Sequence, residues 1–187
     1  MKKEDFVQQV KPALECLPRW AVVAFAARVA RRVTPLYHLI VRKDVEGVAL
    51  GVAWAWTMAA EATGLVEHDE LARKVRQATR TPFVGDWITG HMLAHGAGHV
   101  ADCVLSTLHA SNSLKPSEDA LQAVSAAFSA MSQAISVTGR EGSRDFSICK
   151  IDAAAQTEFV EASMADLTWL VSQHEKHGSS AFLVGDF

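Results

Sequence analysis

The chain is poor in the residues that build anything other than packed helices. Five prolines, three cysteines and one tyrosine are spread over 187 residues. Cys16, Cys103 and Cys149 are odd in number, far apart and in no CxxC spacing, which fits free thiols in a reducing compartment and excludes a disulfide framework or a zinc ribbon. Strictly alternating β-branched runs are scarce while alanines number 30, a balance against a sandwich or barrel and in favour of helices. The most apolar stretch, uncharged between Glu46 and Glu61, is too short to span a bilayer and is flanked by acids rather than by a basic cuff. The opening MKKEDFVQQV has two lysines followed by acids and no apolar segment, so no signal peptide is read and the cytoplasm is the expected compartment. There is no phosphate loop, no GxSxG and no dinucleotide fingerprint; GREGSR lacks the strand, lysine and helix that a phosphate cradle needs.

What is present is apolar and helical in period. With 49% hydrophobic residues the chain can bury one real core but not comfortably two, so a single domain over 1–187 is expected. The expected fold is all-α, a single-domain helical bundle or short α-solenoid of about seven helices. Its centre is expected at residues 44–63, DVEGVALGVAWAWTMAAEAT, where Val45, Val48, Val52, Trp56 and Ala59 oppose a narrow sector of Glu46, Thr57 and Glu61. A helix apolar nearly all round is a buried one.

The other helices follow from the same periodicity. Residues 2–14 place Phe6, Val10 and Leu14 on one side, with Pro12 bending or ending the helix. Residues 18–33 place Val22, Phe25, Ala26, Val29 and Val33 on one side and Arg28, Arg31 and Arg32 on the other, and Thr34 and Pro35 are expected to interrupt them before a short continuation over 36–41. Gly64 closes the central helix, and a charged helix over 67–79 follows. Asp86 caps a long helix to 108 with the stripe Leu93, Ala97, Val100, Val104 and Leu108. After the loop SNSLKPSED, Ser117 is read as the cap of a helix with Leu121, Val124, Phe128, Met131 and Ile135 at its seam. TGREGSRD is a loop, FSICKI is weakly alternating, and the last helix, 152–174, turns Phe159, Val160, Met164, Leu167 and Val171 inward until Gly178 stops it. The tail AFLVGDF is too apolar to stand in water and is expected to pack back or join an interface.

The run LPRWAVVAFAARVARRVTPLYHLI followed by VEGVALGVAWAWTMAAEATG, residues 17–64, resembles the opening of predicted all-helical immunity proteins from bacterial polymorphic-toxin systems. The matching positions are Phe25, Arg28, Arg32, Pro35 and Trp54 or Trp56, while Val29 stands where the pattern has a smaller or thiol side chain. The resemblance implies a small cytoplasmic binder that neutralises a cognate protein toxin and is not itself an enzyme, with no cofactor, no nucleic acid and no membrane among its partners.

Charge is divided unevenly along the chain. Up to Lys43 the chain carries +6 and from Asp44 onward −9, which restores the net −3. Either the two halves neutralise each other inside the fold, or an acidic surface is kept for a basic partner. Within 151–187 six acids, Asp152, Glu158, Glu161, Asp166, Glu175 and Asp186, stand against Lys176 alone. The expected partner-binding residues are Glu158, Glu161 and Asp152 on the last helix with Arg140, Glu141 and Arg144 in the adjoining loop.

His91, His95, His99 and Asp102 share one face of their helix. His91 and His99 stand about 12 Å apart at 1.5 Å per residue, so one ion cannot take all three imidazoles, and no glutamate follows His91 to act as a general base. A solvated or structural histidine face is therefore expected and no metal site, the alternative being a helical metal-binding protein or enzyme centred on His95, His99 and Asp102, or a helical adaptor module. Cys103 falls beside the core stripe and reads as an inert thiol rather than as a nucleophile served by His99. The arginines at 28, 31 and 32 are not interleaved with aromatics and read as partners of the acidic half. Trp20, Trp54, Trp56, Trp87 and Trp169 read as helix contacts.

Overall fold

The computed structural model describes residues 1–40, 87–138 and 153–178. These residues form five helices with no strand among them: α1 (Lys3–Cys16), α2 (Arg19–Ile40), α3 (Trp87–Asn112), α4 (Pro116–Thr138) and α5 (Ala153–His177). The expected helices at 44–63, with Trp54 and Trp56, and at 67–79, the loop TGREGSRD, the segment FSICKI and the tail AFLVGDF lie outside the described residues.

The centre of the described core is α2. Every residue from 20 to 30 is buried, because the sequence WAVVAFAARVA offers small side chains on all sides of the helix. Neighbouring helices can approach it closely, and α3, α4 and α5 all pack against it. Thr107 on α3 marks one such approach, its hydroxyl lying 2.9 Å from the Cys103 carbonyl on its own helix and 3.2 Å from the Ala26 carbonyl on α2. The helix does not stop at Thr34 and Pro35 as the sequence suggested, but runs through to Ile40. Proline removes the N–H that would bond to the carbonyl of Arg31. Arg31 and Pro35 are both exposed, so water can serve that carbonyl. Thr34 meanwhile turns its hydroxyl back to the Ala30 carbonyl at 2.8 Å. Pro12 is accommodated in the same way: α1 continues to Cys16, and both Gln8, one turn back, and Pro12 face solvent.

Helix α1 buries Phe6, Val10 and Leu14, as its spacing predicts, and lies against α4 and α5. Phe6 joins the three helices through its ring, 6.1 Å from that of Phe128 on α4 and 6.0 Å, edge-on, from that of Phe159 on α5. Helices α3 and α4 form a hairpin across residues 113–115. Arg19 ties the hairpin to α2, donating to the carbonyls of Ser111 at 3.1 Å and Ser113 at 2.7 Å, which are the acceptors that a helix C-terminus leaves open. The start of α4 differs from the sequence reading. Pro116 rather than Ser117 opens the helix, and the Lys115 carbonyl accepts from the N–H of Glu118 at 3.1 Å. Proline at the first helical position loses nothing, because its N–H would have had no partner there.

The buried stripes are broader than large side chains alone suggest. On α4, Val124, Phe128 and Met131 are buried as expected, but Ala120, Ala123, Ala127, Ala130 and Ala134 are buried with them, while Leu121 and Ile135 sit at the margin. On α5 the buried set is Phe159, Val160, Ser163, Leu167 and Leu170, with Met164 and Val171 at the edge. Helix α5 ends where its glycine predicts: Gly178 adopts φ 65° and donates to the His174 carbonyl at 2.7 Å. None of the described helices is long and apolar enough to cross a membrane.

Candidate functional site

Two places on this frame gather chemistry-bearing side chains. The first lies between α2 and α5. Arg28, 5% exposed, donates from Nη1 to Asp166 Oδ1 at 3.3 Å, and its guanidinium carbon sits 4.7 Å from the centre of the Trp169 ring. The guanidinium of Arg32, one turn further along α2, pairs with the other oxygen, Asp166 Oδ2. One carboxylate thus bridges two arginines, with an indole over one of them, an arrangement suited to a planar guanidinium that can stack and donate at once. The expected pairing of these arginines with the acidic half is seen for Arg28 and Arg32, which turn onto Asp166, while Arg31 is exposed. Neutralisation between the two halves, one of the two readings of the charge division, accounts for Asp166.

The second place is an open groove of about 610 Å³ between α3 and α4, bounded at one end by Lys3. His99, Asp102, Ser106 and His109 line it from α3, and Gln122, Ser125 and Ser129 from α4. Hydroxyls elsewhere in these helices bond back to their own backbone one turn earlier, as Thr34, Thr107, Thr157, Ser163 and Thr168 do. Those of Ser106, Ser125 and Ser129 make no hydrogen bond among the described residues. Asp102 is exposed, yet the helix beneath it strips away enough water to raise its carboxyl above the ordinary value, with His99 acting in the opposite direction. His91 and His95 belong to the backbone of α3, but their side chains lie outside what is described. Among the described residues no three His, Cys, Asp or Glu side chains converge in a way that could hold a metal ion. Cys103 faces the core and is fully buried; burial first, and the neighbouring charge of Asp102 second, hold its thiol far above the usual range. A thiol so held is protonated and a poor nucleophile.

Of the residues expected to bind a partner, Glu158 and Glu161 stand exposed on the outer face of α5, and neither forms an ion pair among the described residues. Asp152, Arg140, Glu141 and Arg144 lie outside the described residues. Around the two glutamates the outer face of α5 is small and polar, with Ala154, Thr157, Ala165 and Thr168 all exposed. The sequence reading missed two things here. Asp166 was counted with the surface acids, although its place one residue before buried Leu167 sets it at the edge of the apolar stripe. The groove was missed because it needs α4 opposite α3, which the spacing on either helix alone does not reveal.

Comparison with protein-family models, curated proteins and solved structures finds no match to the chain.

Proposed function

We propose that the chain is an immunity protein of a bacterial toxin system, a helical domain that binds and neutralises a cognate protein toxin and performs no catalysis. The observation that supports this reading is the way charge is sorted in space. Arg28 and Arg32 of α2 turn onto Asp166, whereas Glu158 and Glu161, three residues apart on the same helix, are exposed. Like charges at that spacing cost an isolated helix a few tenths of a kcal/mol. An acidic face with no cation paired to it among the described residues suits a basic partner, and a toxin that cleaves nucleic acid needs a basic cleft.

The resemblance over 17–64 supports the same reading. Of its matched positions, Phe25 is fully buried, while Arg28 and Arg32 hold α5. These three positions build the scaffold, while Pro35 is exposed and Trp54 and Trp56 lie outside the described residues; the partner surface we propose is α5 with the adjoining loop. Co-expression with the toxin encoded beside its gene, in a strain that the toxin kills, is the direct test. Growth is expected only when this chain is present. Killing that proceeds unchanged at saturating expression would remove the immunity reading and leave a helical adaptor.

A further inference from the structure

The contact between α2 and α5 raises a question that apolar packing does not answer, namely what fixes the position of one helix along the other. On α2 the buried residues 20–30 are mostly small, Trp20, Phe25 and Arg28 excepted. Residues 20–27 read WAVVAFAA, and beyond Arg28 come Val29 and Ala30. On α5 the buried residues are Phe159, Val160, Ser163, Leu167 and Leu170, again with a small residue among them. Alanine and valine ridges present much the same contour after a shift of one helical turn, about 5.4 Å, so van der Waals contact alone discriminates poorly between the two placements.

Charge discriminates sharply. Asp166 is the only acid of α5 between Glu161 and Glu175. If α5 moved by one turn in one direction, Ala162 or Ser163 would stand where Asp166 stands; in the other, Trp169 or Leu170 would. Neither set offers a carboxylate to neutralise the two guanidiniums. Arg28 is 5% exposed and Asp166 keeps 14% of its side-chain surface, so a slipped helix would strand a charge out of water, which is far costlier than any difference in alanine packing. Trp169 adds a second reading of the same position, since it stacks over Arg28 only when Asp166, three residues earlier, meets that arginine. The spacing of Arg28 and Arg32 on α2 and of Asp166 and Trp169 on α5 thus matches at one placement only.

We infer that the Arg28–Asp166–Arg32 cluster with Trp169 is a register key: it selects the position of α5 along α2, and with it the placement of the outer face of α5 on the molecule. A single buried polar contact that chooses among otherwise similar helix packings is a known use of such groups.

Moving the key should move the helix. The double variant Ala162→Asp with Asp166→Ala carries the acid back by one turn, to a partly buried position. Spin labels on Gln122→Cys in α4, paired in turn with Thr157→Cys and with Thr168→Cys in α5, use exposed positions. Cys16 and Cys149 are replaced by serine, and buried Cys103 is left in place. Electron–electron distance measurements on the full chain are expected to show both distances displaced relative to the parent, consistent with a slide of about one helical turn. Parent distances in a folded variant would overturn the inference. Should that variant fail to fold, Arg28→Met with Arg32→Met and Asp166→Leu removes all three charges of the key together, so that none is left without its partner. It is expected to stay helical but to give two or more distances in place of one. A single parent-like distance there would show that packing alone sets the register. Failure of both variants to fold would likewise overturn the inference, because the cluster would then hold α5 on rather than choose its place.

Discussion

Arg28 shows how little a single residue's neighbours in sequence reveal about its role. Helical spacing groups it with Arg31 and Arg32, yet Arg31 is exposed, Arg32 half-buried and Arg28 buried. Its carboxylate partner lies 138 residues away, and the one hint of it in the sequence is the division between a basic opening and an acidic remainder. Because both ions are largely withdrawn from water, removing one is costly even though the intact pair contributes little net. Asp166→Ala should lower the unfolding free energy by about 3–5 kcal/mol, read from the denaturant midpoint; a loss under about 1 kcal/mol, the worth of an exposed pair, would show that solvent reaches the arginines. Cys103 gives a second prediction at this scale. Its thiol is held above the usual range in the fold, so the unfolded chain ionises first, near pH 8.5. This contribution to stability is fully present below that pH and falls by about 1.4 kcal/mol per unit as pH rises above it. Cys103→Ala should flatten the alkaline limb of a stability-against-pH curve by one proton. An unchanged slope would mean that the thiol is not withdrawn from water.

Among the elements, α1 was legible almost residue by residue, because Phe6, Val10 and Leu14 carry the pattern and all three are buried. Helix α2 was less so, since alanine is neither clearly inward nor outward and the eye stops at Pro35. The same ambiguity hid the alanine half of the α4 stripe and put Val171 where Leu170 and Ser163 belong. Physics locates the error: a proline ends a helix when the carbonyl one turn back has nowhere to go, and sequence does not say whether that carbonyl meets water. Here both Arg31 and Pro35 are exposed, so the penalty is carried rather than avoided. Alanine at that position recovers the intrinsic helix preference of about 3 kcal/mol, less the 0.4–1 kcal/mol or so by which proline restrains the unfolded chain. Pro35→Ala should therefore stabilise the protein by roughly 2 kcal/mol and raise its melting temperature, provided the helix path is left in place. A lowered melting temperature would show that buried Leu36 and Tyr37 depend on the path the proline imposes.

At the scale of the whole molecule, the all-helical class was legible from composition and period, and five of the expected helices are found. The candidate surface was legible only as a count of acids. Which of them face outward depends on the rotation of α5 about its axis, and that is set by Leu167, Leu170 and the arginines of α2 rather than by the acids themselves. The structure separates Asp166, which serves the fold, from Glu158 and Glu161, which are exposed. Reversing the two glutamates together, Glu158→Lys with Glu161→Lys, is accordingly expected to leave stability within about 0.5 kcal/mol of the parent, as for other exposed surface positions. The same change places two cations where the proposed toxin surface is basic. Complementary charge acts chiefly on encounter, so the association rate with the toxin should fall while dissociation changes less. The difference should shrink as salt is raised past about 0.15 M, where the screening length drops to about 8 Å. Stopped-flow association at two ionic strengths, alongside a thermal melt, distinguishes the outcomes. An unaltered rate with a lowered melting temperature would assign Glu158 and Glu161 to the fold and take the docking surface off α5. An unaltered rate with an unaltered melt would leave α5 exposed but place the toxin on another face, the groove between α3 and α4 being the next to test.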